Sequence, residues 1–108
     1  MHLNALIEML EMLEAADSAA VLAEGFCNPH SWRGSYWELA FEPAENVTVG
    51  SMLDAARSAL GATYPGWKGG DYTMTEWSEV HLAYEGTVGE PLSPMAIKYM
   101  LSTAQPNT

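Results

Sequence analysis

Positive charge is what this chain has least of. Its four Lys and Arg residues, Arg33, Arg57, Lys68 and Lys98, face fourteen Asp and Glu, for a net charge of -10. Such a surface repels nucleic-acid polymers and anionic lipid alike, so neither a nucleic acid nor a membrane is an expected partner. Cysteine is nearly absent too: Cys27 stands alone, which excludes an internal disulfide and a thiolate-based zinc site and fits a reducing cytoplasm. No apolar run is long enough to span a bilayer. Glu8, Glu11 and Glu14 interrupt the N-terminal apolar segment, which is unlike a signal peptide. His2, His30 and His81 lack the spacing of a metal site, and no serine sits in a nucleophile elbow. The expectation is a protein that is not an enzyme, with no metal and no cofactor.

What is present is enough for a core. The chain has 108 residues and is 48% hydrophobic, which predicts one domain over 1–108, with 105–108 as a frayed tail. Leu3, Leu6, Ile7, Leu10 and Leu13 recur at three- and four-residue spacing and predict a helix over Leu3–Ala16. Ala20–Phe26 reads as a strand stopped by the Asn28-Pro29 turn signal, and Tyr36–Phe41 as a strand stopped by Pro43. Met52, Leu53, Ala56, Ala59 and Leu60 predict a second helix over Gly50–Leu60, with Thr48 or Ser51 as its cap. Tyr72–Glu76 and Glu79–Tyr84 alternate as a β-hairpin would, and Ser93-Pro94 opens a last helix. The order α-β-β-α-β-β-α predicts an α+β fold, a mostly antiparallel four-stranded sheet covered by two or three helices.

Two of the four cations fall in Gly- and Trp-bearing loops, His30-Ser31-Trp32-Arg33-Gly34 and Gly66-Trp67-Lys68-Gly69-Gly70. Arg33 offers a planar fork and Lys68 a point charge for a phosphate. Gly69 lets the backbone approach closely. Trp32, Tyr36, Trp67 and Tyr72 are stacking candidates for a base, worth about 1–3 kcal/mol per stack. His30 and Ser31 complete the candidate ligand-binding set. Each has a plainer role available: a salt bridge for either cation, core packing for Tyr36 and Tyr72, a local backbone bond for His30. His81, between Val80 and Leu82, reads as an ordinary strand residue, and Arg57 and Lys98 as helix-surface residues.

The strings Pro29-His30-Ser31-Trp32-Arg33-Gly34, Leu39-Ala40-Phe41, Asn46-Val47-Thr48-Val49-Gly50 and Lys68-Gly69-Gly70-Asp71-Tyr72-Thr73-Met74 resemble a family of small acidic proteins encoded by bacteriophages, especially phages of actinobacteria. The resemblance spans roughly residues 21 to 101, a single domain by size. It implies a phage accessory protein in the host cytoplasm that counters host defence. Joined to the candidate site, it leads to the expectation of a homo-oligomeric sponge that sequesters a small anionic nucleotide, such as a cyclic oligonucleotide or an ADP-ribose derivative. The competing expectation is an acidic protein–protein inhibitor that imitates a nucleic-acid backbone and occupies a basic cleft. The carboxylates are dispersed along the sequence, which counts against the second; a concave site holding Arg33 favours the first, and a continuous acidic stripe on the surface would favour the second.

Overall fold

The computed structural model describes residues 1–16, 20–32, 38–65, 70–84 and 89–105. Helix α1 covers Leu3–Ala16 and buries Leu3, Leu6 and Leu10, as the periodicity requires. Each fully buried leucine stabilises the fold by about 1.5–3 kcal/mol before entropy is counted. Helix α2 covers Val49–Ala59 and begins on a capping box in which Thr48 and Ser51 exchange side-chain-to-backbone bonds of 3.0 and 3.1 Å. Helix α3 covers Pro94–Ser102 and is capped by Ser93, whose Oγ accepts from Ala96 N–H at 3.2 Å. Arg57 on α2 meets Glu11 on α1 at 3.4 Å, a surface pairing of the kind expected for that cation.

The α+β class holds, but the sheet is mixed. β1 (Val21–Ser31), β2 (Leu39–Thr48), β5 (Val80–Leu82) and β6 (Glu90–Pro91) form a four-stranded sheet in the order β1-β2-β5-β6. β1–β2 and β5–β6 are antiparallel, whereas β2–β5 is parallel. β3 (Thr63–Pro65) and β4 (Asp71–Thr73) form a separate antiparallel pair. The expected hairpin over Tyr72–Tyr84 therefore does not form. The strand at Tyr72 pairs back across the Gly-rich segment to Tyr64, and Met74 exchanges backbone bonds with Gly61 and Ala62. Thr75 and Ser78 then close a local turn, Thr75 N–H to Ser78 Oγ at 3.0 Å and Ser78 N–H to Thr75 O at 3.1 Å. The chain leaves that turn for the far edge of β2. The α2–β3–β4 stretch is long enough to serve as the crossover that a parallel pair needs.

Two prolines expected to end strands do not. β1 runs through Pro29 because the register shifts between Cys27 and Pro29, with Asn28 at φ 51 taking up the extra residue. β2 runs through Pro43 because its missing donor faces an edge that no described strand pairs. Leu39 N–H donates to Glu79 O and Phe41 O accepts from Ala83 N–H, so odd-numbered residues of β2 turn their backbone toward β5. By the two-residue repeat, Pro43 nitrogen turns the same way, beyond the end of β5.

The core lies between the sheet and the helices. Leu22, Phe26, Leu39, Phe41 and Val80 from the strands meet Leu6, Leu10, Met52, Leu53 and Ile97. Phe26 and Phe41 pack with ring centroids 4.6 Å apart. Gln105 N–H donates to Val21 O at 2.8 Å and its side chain reaches Asn46, so the chain is held to the sheet at that residue.

Candidate functional site

Two regions carry chemistry. The first follows from strand register, which places His30, Ala40 and His81 opposite one another in a single row across β1, β2 and β5. Directly opposed residues share a face, and this row alternates with the apolar Leu39–Val80 row. Trp32, two residues beyond His30, lays its indole on the His81 ring, with centroids 4.0 Å apart and planes 5° from parallel. Trp32 N–H donates to Glu38 O at 2.8 Å and ties the two ends of the intervening segment together. His30 Nδ1 lies 3.1 Å from Ser31 O and its Nε2 lies 3.2 Å from Ala83 O. Ser31 is buried.

His81 is 9% exposed, and its Nδ1 is buried with no hydrogen-bond partner among the described residues. Burial pushes the imidazole below its ordinary pKa. A hydrogen bond to the Leu39 backbone and the negative charges of Glu38 and Glu79 oppose that shift, and the Met1 amino group adds to it. Reading His81 as an ordinary strand residue missed this. The alternation Val80-His81-Leu82 signals a face change, but the approach of Trp32 depends on a parallel pairing that local sequence does not encode.

Of the other expected site residues, Tyr72 lies on β4 opposite Tyr64 and packs on the edge of the core. Arg33, Tyr36, Trp67, Lys68 and Gly69 lie outside the described residues. Among the described residues no group of three or more His, Cys, Asp and Glu could hold a metal ion, and no helix is long and apolar enough to cross a membrane.

The second region was not anticipated. A groove of about 700 Å³ opens where β5 ends and β2 continues. One wall is α3, through Ser93, Met95, Ala96, Tyr99 and Met100. The other walls are Glu24 and Gly25 of β1, Pro43, Ala44 and Glu45 of β2, and Leu82, Tyr84, Glu90 and Pro91 around β5 and β6. Its large side chains stand into solvent, Met95 at 79%, Tyr99 at 59% and Tyr84 at 58% exposure. Among the described lining residues the ionisable carboxylates are Glu24, Glu45 and Glu90, all exposed, and there is no Lys or Arg. Glu24 and Glu45 are direct cross-strand partners, an arrangement that like charges disfavour. A hydrogen bond to Glu24, and then its negative charge, hold the Tyr99 phenol above its ordinary pKa.

No protein-family model matches this chain, and no curated protein or solved structure is detectably similar to it. Function therefore rests on the two regions themselves. The groove presents exposed Met95, Tyr99 and Tyr84 together with three carboxylates. The histidine row holds one buried ring nitrogen, His81 Nδ1, that no described residue partners, under the Trp32 indole.

Proposed function

We propose that this protein is a non-catalytic binding protein whose groove captures a cationic, partly apolar segment of another protein, in the manner of an acidic inhibitor. The observation that carries this is the lining of the groove: exposed Met95, Tyr99 and Tyr84 with, among the described residues, three carboxylates and no cation. Large apolar side chains left in solvent beside like charges mark an interaction surface more than a solvated face. Met adapts to varied partners, and Tyr supplies area at little entropic cost. Capture should be steered by the net charge of -10 and weaken with salt. The test is calorimetric titration of the protein with a Lys/Leu peptide and with its Glu/Leu counterpart, at low and high salt. Binding of the first only, lost with salt, is the expected result. Equal binding of both peptides removes the charge argument.

A second reading keeps the small anionic nucleotide. It is favoured by the unpaired, buried Nδ1 of His81 beneath the Trp32 ring, beside a row that also holds His30. Arg33 follows Trp32 directly in sequence and would supply the charge. On this reading Arg33→Ala lowers ligand affinity roughly ten- to a hundredfold. Native mass spectrometry with a nucleotide panel decides it, since a sponge retains its ligand intact and reports its own assembly in the same spectrum. A phage anti-defence role belongs to either reading through the family resemblance.

A further inference from the structure

We infer that the charge anchor of the groove is the opposed pair Glu24–Glu45 backed by Tyr99, and that it selects an arginine side chain of the partner over a lysine. This rests on reading the groove as a site for a cationic, partly apolar protein segment. It goes further by naming the residues that choose the partner and the cation they take.

Strand register places the pair. β1 and β2 keep one register from Val21 to Cys27, so Glu24 and Glu45 stand directly opposite, with Cβ atoms about 5 Å apart. Leu22 and Phe26, two residues to either side of Glu24, share its face by the two-residue repeat and are buried. The carboxylates are thus held side by side where apolar packing meets the groove. Their backbone is fixed as well. Glu24 N–H donates to Thr103 Oγ1 at 3.1 Å and Ala23 N–H to Thr103 O at 3.0 Å, which ties the C-cap of α3 to β1. Gln105 Nε2 donates to Asn46 Oδ1 at 2.6 Å, next to Glu45. Tyr99 precedes Thr103 by about one helical turn, and its hydroxyl bonds the Glu24 carboxylate.

No cation among the described residues neutralises the pair. The ion pairs there join Met1 and His2 to Glu79, and Arg57 to Glu11. In sequence, residues 85–88 add Glu85 and no Lys or Arg. Directly opposed like charges destabilise a sheet, so one cation set between them gains attraction to both and removes their repulsion. Glu90 differs, because it opposes Leu82 across β5–β6. A guanidinium suits the paired site better than an ammonium. Its five N–H donors lie in one plane and can serve two carboxylates at once, and it is the more weakly hydrated ion. An ionised carboxylate has about four acceptor sites, so the Tyr99 bond leaves Glu24 room for that fork. The Tyr99 ring beside Glu24 adds an aromatic face for the cation. A divalent metal ion is a poorer occupant, because no group of three or more ligating side chains gathers among the described residues. A second copy of this chain is poorer too, because at a net charge of -10 it brings carboxylates to carboxylates.

The test uses the full chain and three peptides that differ at one position, which is Arg, Lys or citrulline, each flanked by Leu. Citrulline keeps the shape of arginine without its charge. Calorimetry at low salt should show the Arg peptide binding about tenfold more tightly than the Lys peptide, and no binding of the citrulline peptide. Glu24→Gln and Glu45→Gln should each lower affinity for the Arg peptide about tenfold and bring the two cationic peptides to within about twofold of each other. Glu90→Gln should weaken both alike and leave their ratio unchanged. Thermal midpoints of Glu24→Gln and Glu45→Gln should hold or rise, since each removes the repulsion, so that lost binding is not lost folding. If the Lys peptide binds as tightly as the Arg peptide and still needs Glu24 and Glu45, selection of arginine is overturned while capture of a cationic segment stands. If the preference for Arg survives both substitutions, the pair is not the anchor and the inference is again overturned alone. If neither cationic peptide binds, the reading of the groove falls with it.

Discussion

Leu6 and Leu10 of α1 and Met52 and Leu53 of α2 are covered almost completely, while Met95 and Tyr99 of α3 stand 79% and 59% exposed. Both regions are built from large apolar side chains on amphipathic helices. The helix–sheet side is closed by Phe26, Phe41 and their neighbours. The described residues that line the groove with Met95 and Tyr99 include three glutamates, Tyr84, Pro43 and Pro91. Apolar surface that the chain could have buried, and did not, is what separates an interaction surface from a core. The difference also says where mutations should act: on stability in one region, on binding in the other.

The largest effect should come from Leu53→Ala, which empties a site that is 1% exposed between α2 and the sheet. A loss of about 2–5 kcal/mol is expected in denaturant unfolding, with an unchanged m-value. A loss below about 1 kcal/mol would mean that this face is packed as loosely as the groove and would erase the contrast.

Gly25 belongs to both regions, since it lines the groove and is buried against α2. A Cβ placed there would lie 2.3 Å from Val47 Cγ2 and 3.0 Å from Met52 Sδ. Val47 is stiff at χ1 and cannot swing clear easily. Gly25→Ala should therefore cost about 1–3 kcal/mol of stability by overpacking. It should weaken peptide capture only as far as it shifts β1. Equal stability with lost capture would place Gly25 in the groove alone.

How much of this contrast is legible in the sequence differs by element. The three helices follow from apolar spacing and from Thr48 and Ser93 as caps, because those signals are local. The two-faced character of α3 is present but ambiguous. Its apolar residues fit no single stripe because Ile97 and Met100 turn into the core while Met95 turns out. The strands are less legible. Pro29 and Pro43 read as breakers, and only the pairing shows that one sits at a bulge and the other on an open edge. The groove is not legible at all, since Glu24, Glu45 and Glu90 are far apart in the chain and look like dispersed surface charge. His81 and Trp32 meet only through the parallel β2–β5 pairing.

A smaller effect than either substitution should appear in the pH response of His81. Its folded-state pKa lies below the unfolded value, mainly through burial, so the folded state favours the neutral ring. The stabilisation is fully present above the unfolded value of about 6.5 and is lost as the pH falls through the lower folded value. Thermal midpoints of the native protein should therefore drop between mildly alkaline and mildly acidic pH by more than those of His81→Phe, which keeps a ring under Trp32 without the titrating nitrogens. Trp32 lies on that ring, so indole fluorescence should change over the same window. Parallel pH profiles for the two proteins would show that His81 does not titrate on unfolding.

The smallest effect on stability, and the sharpest separation of the two regions, is expected for Met95→Ser. At 79% exposure Met95 gives the fold little, and a surface substitution of this kind should shift stability within about ±0.5 kcal/mol. Serine also keeps the helix N-terminal turn intact, because the cap is supplied by Ser93 and not by Met95. The same change removes the largest apolar contact that α3 offers a partner. Affinity for the Lys/Leu peptide should fall several-fold or more, toward the range of about 1–2 kcal/mol that truncating an interface anchor costs. Because no charge is altered, the salt dependence of binding should stay as it was, which separates this variant from the loss of a groove carboxylate. A measurable loss of stability would mean that Met95 is part of the core after all. Unchanged affinity would leave the carboxylates acting alone, and the apolar half of the groove would have no part in recognition.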